Sequence, residues 1–150
     1  MANKLVANGG IISRGESNFI NDPSTLASNT GYGDIVTFGT GSLTQGDVYF
    51  LKSTLDWSLA DADAAASSTG MIAIAMGTSP ADGMLIRGFF RHANYTFSNG
   101  DTLYLSSTAG EISSSAPTGT VWVRRVGYCV NATNDVIYFN PCNEFTALAG

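Results

Sequence analysis

The chain has 150 residues, a formal net charge of −5 and a charged fraction of 13%, about half the usual level. That length fits one domain able to bury roughly two thirds of its unfolded surface. Seven scattered basic residues in an acidic chain exclude a basic groove for nucleic acid, and the longest apolar runs fall far short of the roughly 18 residues a membrane-crossing helix needs.

Residues 1–30 are rich in Asn, Ser and Gly and show no sustained alternation beyond Ile11-Ile12. Such a stretch buries too little apolar surface to fold alone, so an extended N-terminal arm lying against a neighbouring subunit is expected. The opening "MANKLVANGG" lacks an apolar segment of signal-peptide length, and assembly in a cytoplasm is the corresponding expectation. Residues 31–150 then form the folded domain. It begins with "GYGDIVTFGTG", whose glycines bracket a strand and lack the order, and the Lys, of a phosphate loop.

The decapeptide "QGDVYFLKST" (45–54) returns as "NGDTLYLSST" (99–108), offset by 54 positions. After each copy come a polar excursion, a Thr-Gly strand ("TGMIAIAMG", then "TGTVWVRRVG"), an Asp-containing turn and a last strand. The Gly-Asp pairs are offset by 54, the Thr-Gly pairs by 49, and Asp82 and Asp135 by 53. Glycine supplies the positive φ that a turn into a strand requires, and Asp bonds nearby backbone amides. Ile72 and Ile74 alternating with Ala73 and Ala75 give the period of two that marks a strand. Seven or eight short strands follow, and the fold class is all-β: a single jelly-roll-like sandwich or barrel carrying an internal two-fold echo. Segment 56–70, "DWSLADADAAASSTG", has no clean helical stripe and reads as a loop with at most one or two turns of helix.

Candidate chemistry is sparse. His92, the single histidine, has no nucleophile signature around it and reads as an edge-strand residue. Asp56, Asp61 and Asp63 lack the central Gly and terminal Glu of a calcium loop. Glu111 and Glu144 are the two glutamates within or after the strands, and Glu111 sits in a Ser-rich turn. Arg124-Arg125 lies in an apparent strand, so its two side chains face opposite ways. Cys129 and Cys142 fall roughly 20 Å apart on the expected hairpin, too far for a disulfide. No catalytic, cofactor-binding or metal-binding residue is therefore assigned. The interface candidates are Ile11, Ile12 and Phe19 in the arm, together with Tyr32, Trp57, Phe89, Phe90 and Tyr95. Phe89 and Phe90 are adjacent in a strand, so one of them faces outward.

The second half, "NGDTLYLSSTAGEISSSAPTGTVWVRRVGYCVNATNDVIYFNP", resembles a module of tailed-bacteriophage structural proteins, found in capsid decoration (cement) proteins and in parts of tail fibres. The likeness rests on the Gly-Asp-x-Leu-Tyr-Leu strand, the Ala-Gly-x-Ile turn, the Arg-x-Val-Gly-Tyr strand and the closing Ile-Tyr-Phe-Asn-Pro. It spans about 45 residues well, reaches 31–90 through the echo, and leaves 1–30 uncovered. What the resemblance implies is a non-enzymatic virion protein on the capsid surface, homotrimeric, that bridges subunits of the major capsid protein. A carbohydrate-binding module of a tail fibre or baseplate is the alternative it implies.

Overall fold

The computed structural model describes residues 22–150, and strand outweighs helix in it, 40% against 10%. Its strands are β1 (Thr30–Val36), β2 (Val48–Leu51), β3 (Trp57–Leu59), β4 (Ile72–Ala75), β5 (Met84–Arg91), β6 (Thr102–Leu105), β7 (Ile112–Ser113), β8 (Val121–Val123), β9 (Arg125–Asn131), β10 (Val136–Phe139) and β11 (Thr146–Leu148). The expected seven or eight strands undercount them, because β3, β7, β8 and β11 have only two or three residues and cannot display alternation.

All but β8 and β11 belong to one curled antiparallel sheet in the order β3-β2-β4-β5-β10-β9-β6-β7, with β1 beside β5. Leu85 pairs with Ile35 of β1 and Ile74 of β4, while Phe90 pairs with Gly31 of β1 and Ile137 of β10. A strand has two edges, so β1 covers one edge of β5 while β4 and β10 share the other.

That order is one four-strand unit used twice. Gly46 N donates to Ala75 O at 2.9 Å and Ala75 N to Asp47 O at 3.0 Å. Fifty-four residues on, Gly100 N donates to Cys129 O and Cys129 N to Asp101 O, both at 2.9 Å. Gly46 and Gly100 have φ of +90° and +85°, left-handed backbone that a residue without Cβ adopts freely. The pairing Val48↔Ile74 recurs as Thr102↔Tyr128, and Ala75↔Met84 as Cys129↔Ile137. The last two strands of the units, β5 and β10, therefore correspond at an offset of 53. Each is preceded by a 3-10 turn, Pro80–Asp82 and Ala132–Asn134. The Thr-Gly alignment does not hold in space. Thr118-Gly119 leads into β8, which leaves the main sheet to pair with β11, and the counterpart of β4 is β9. The units join along the antiparallel β5–β10 ladder, which places a pseudo-two-fold axis there.

Inward residues of both units form one core, including Val48, Ile74, Leu85, Phe90, Leu103, Val126, Ile137 and Phe139. Phe90 and Phe139 have no exposed surface, and truncating either to Ala would cost about 3–5 kcal/mol. The curl brings the far ends of the sheet together. There Gly110 N donates to Ala60 O, Val48 N to Gly110 O and Ala62 N to Ser106 O, each at 2.8 Å. All four residues of β4 are buried, because Leu43, Tyr49, Trp57 and Met84 make a second cluster on its other face with Ala73 and Ala75.

Segment 56–70 holds one turn of helix, α1 (Ala65–Ser68), within the expected one or two turns, and its Ser68 is buried; it departs from the expectation in carrying the strand β3. Residues 1–21, with the candidates Ile11, Ile12 and Phe19, lie outside the described residues. Of residues 22–29, Leu26 packs on this domain: it is buried, and its carbonyl accepts from Arg91 Nη1 at 2.7 Å.

Candidate functional site

The register of four strands lines up four aromatic residues. Tyr32 lies opposite Phe89, Phe89 opposite Tyr138, and Tyr138 opposite Tyr128. Of their chain neighbours, Gly31, Gly88, Phe90, Gly127, Cys129, Ile137 and Phe139 are buried and Gly33 alone is exposed, so the period of two puts the four rings on the outer face. Strands spaced about 4.8 Å apart make the row roughly 15 Å long. The Phe89 and Tyr138 rings tilt together with centroids 5.0 Å apart, and the Arg125 guanidinium carbon stands 5.5 Å from the Tyr128 centroid. Tyr32 and Tyr128 at the ends are each 37% exposed, and the middle pair is half-buried. Beside the row Gly33 faces Gly88; a Cβ on Gly88 would sit 2.1 Å from Tyr32 O, so β1 and β5 approach here only without a side chain.

A shallow pocket of about 240 Å³ follows the row, lined by Tyr32, Asp34, Arg87, Phe89 and Tyr138. Asp34 and Arg87 form an ion pair at 2.7 Å. Past that pair the surface continues into a wider, open cleft of about 630 Å³, lined in part by Met71, Arg87, Arg124, Asn140 and Asn143. The cleft lies on the pseudo-two-fold axis. Leu51 N donates to Met71 O, and Leu105 N to Arg124 O, both at 3.0 Å, which makes Met71 and Arg124 counterparts. The offset of 53 between β5 and β10 likewise relates Arg87 to Asn140.

Arg124 falls between β8 and β9 rather than within a strand, and it is buried while Arg125 is exposed. Its Nε donates to Cys142 O at 2.9 Å, and its Nη1 to Ser68 O at 2.7 Å and Gly70 O at 2.6 Å. The guanidinium thus satisfies carbonyls at the C-terminal end of α1 and ties the C-terminal segment to it. Burial pulls its pKa down, with Cys142 opposing.

At one end of the barrel His92 stacks on Phe90 at 6.1 Å and lies 5.3 Å from Tyr95, whose hydroxyl donates to Gly46 O at 3.0 Å. Burial raises the Asp47 carboxyl there; His92 opposes the shift and Glu111 adds to it. No Ser or Cys hydroxyl or thiol is hydrogen-bonded to His92, and its Nδ1 is buried without a partner among the described residues. Among those residues no three His, Cys, Asp or Glu gather to hold a metal ion. Cys129 and Cys142 are both free.

The sequence candidates divide between two environments. Tyr32 and Phe89 stand in the outer row. Trp57, Phe90 and Tyr95 are corrected as interface residues, being 4%, 0% and 9% exposed. Trp57 turns into the second cluster and its indole N–H donates to Phe38 O at 2.8 Å; Phe90 alternates inward from Phe89; Tyr95 fills the barrel end. Tyr128, Tyr138 and Arg124 were missed as site residues. Tyr138, set between the apolar Ile137 and Phe139, was the one with a local signal, since alternation turns it outward. No family model, curated protein or solved structure matches this chain.

Proposed function

We propose that the protein is a non-enzymatic virion decoration protein that docks on the shell of the major capsid protein through the Tyr32–Phe89–Tyr138–Tyr128 row. The row is the observation that carries this reading. Rigid aromatic side chains bring large contact area at small entropic cost and are enriched where protein surfaces meet. An outer sheet face suits a broad protein surface better than it suits a small substrate. The low charge of the chain agrees with a surface partly covered by another protein. The bacteriophage context comes from the sequence resemblance of the second half. A homotrimer would multiply weak contacts into a firm hold, each copy bridging neighbouring shell subunits.

The test is co-sedimentation of the purified protein with empty capsid shells, comparing the natural chain with a Tyr32→Ala, Tyr128→Ala double variant. Both side chains lie at the exposed ends of the row, so the fold should survive. Two lost anchors of about 1–2 kcal/mol each weaken binding at least tenfold. Undiminished binding by the double variant, or shells that ignore the natural protein, would refute the reading. Copy number per particle separates a shell protein, present in stoichiometric amounts, from a tail component.

A further inference from the structure

We propose that the cleft beside the aromatic row is a carboxylate-binding site, occupied by an acidic side chain of the docked protein partner. The inference rests on the docking reading above and adds the chemistry of what is docked. It starts from a buried cation with no acidic partner among the described residues. Arg124 is 4% exposed, and removing an ionised guanidinium from water costs several kcal/mol unless it is paired. Three carbonyls take up Nε and Nη1, which leaves Nη2 with no protein partner among the described residues. Arg124 is itself one of the residues that line the cleft, and Nη2 is the guanidinium nitrogen that these carbonyls leave over.

Among the described residues the only acid lining the cleft is Asp34, and it is engaged with Arg87 at 2.7 Å in their one ion pair. Two arginines against one aspartate leave this lining net positive in a chain whose net charge is −5. A carboxylate meets that demand: its planar oxygens match the guanidinium fork, and Asn140 and Asn143, which line the same cleft, carry amides that can donate as well. The aromatic pocket and the cleft share Asp34 and Arg87, so a protein seated on the row overlies the mouth of the cleft. A projecting Asp or Glu from that protein would enter it.

The test is an NMR titration of isotope-labelled protein with N-acetylglutamate methylamide, its glutamine analogue as neutral control, and glucuronate as a sugar acid. The expected result is a saturable shift of the Arg124 side-chain Nε signal and the Asn140 and Asn143 amides with the glutamate probe, and none with the glutamine probe. Arg124→Lys, which keeps the charge and loses the fork, should weaken binding at least fivefold. Should that variant fold poorly, Asn140→Ala at the exposed wall should weaken the probe about twofold without changing the unfolding midpoint. Equal response to both amino-acid probes, or no movement at Arg124, would overturn the carboxylate site while leaving the docking test untouched. Glucuronate binding tenfold tighter would overturn the assignment to a protein side chain. A glutamate probe that binds while capsid shells ignore the protein would overturn the docked partner as the source.

Discussion

Gly46 and Gly100 occupy the same place in the two units, and replacing each by Ala separates backbone strain from steric crowding. With φ of +90° and +85°, both would take alanine into the left-handed region at a similar cost, about 1–2 kcal/mol. Their surroundings differ. A Cβ at Gly100 meets nothing within 4 Å, whereas one at Gly46 would lie 2.8–2.9 Å from three atoms of the His92 ring. That ring is held between Phe90 and Tyr95, at 6.1 and 5.3 Å, so it has little room to retreat. Overpacking of this kind adds about 1–3 kcal/mol. Gly46→Ala should therefore cost about 2–5 kcal/mol in all, against about 1–2 kcal/mol for Gly100→Ala. At roughly 3 °C per kcal/mol for a domain of this size, the Tm values should differ by about 3–9 °C. Thermal and urea unfolding followed by circular dichroism measure both. Adding His92→Ala should bring the Gly46→Ala penalty close to that at Gly100, a coupling a double-mutant cycle reads directly. Equal losses at the two glycines, or no relief from His92→Ala, would show that crowding by the ring is not the difference between the units.

Asp47→Asn tests the raised carboxyl. Because its folded pKa exceeds the unfolded value of 3.8, chiefly through burial, the stability this group contributes is full below that value and lost as pH rises through the folded pKa. The asparagine variant should accordingly match the natural protein near pH 3 and exceed its Tm near pH 7; an advantage confined to acid would reverse the sign and defeat the reasoning. Arg87→Ala removes an ion pair whose side chains are 60% and 52% exposed, and should lower stability by no more than about 0.5 kcal/mol; a loss beyond about 1 kcal/mol would mean the pair anchors β1 to β5. Alkylation of the native protein should modify Cys142 and spare Cys129, which is buried and whose thiol burial pushes up. Mass spectrometry finding a Cys129–Cys142 disulfide, or the opposite order of labelling, would contradict the described geometry.

The duplicated Gly-Asp strands were legible in the sequence because their determinants are local. A positive-φ glycine and four alternating residues set both the turn and the face, and the same bonds form at Ala75 and Cys129. Phe89 and Phe90 were legible as a pair of opposites for the same reason. Trp57 was not: its neighbours are polar, and only the burial of β4 on both faces explains why an indole belongs there. The Thr-Gly register misled because residues 121–123 supply an extra strand, β8, that the first unit lacks, displacing β9 from the motif that seemed to announce it. The row itself could not be read from spacing. Its four rings come from β1, β5, β10 and β9, and only ladder register across the junction of the units brings them side by side. Arg124 lay further out of reach, since its three carbonyl partners come from chain segments on either side of it in sequence.

The position of the cleft on the pseudo-axis has a consequence for selectivity. Were the halves identical, as in a dimer of separate chains, any lopsided guest there would fit equally well in two opposite poses, and an arginine at the Arg124 position would confront its own twin. With both halves in one polypeptide the facing positions can differ, and they do: methionine on one side and arginine on the other, arginine on one side and asparagine on the other. The single recess that results has a definite polarity, able to fix the direction in which a visitor lies.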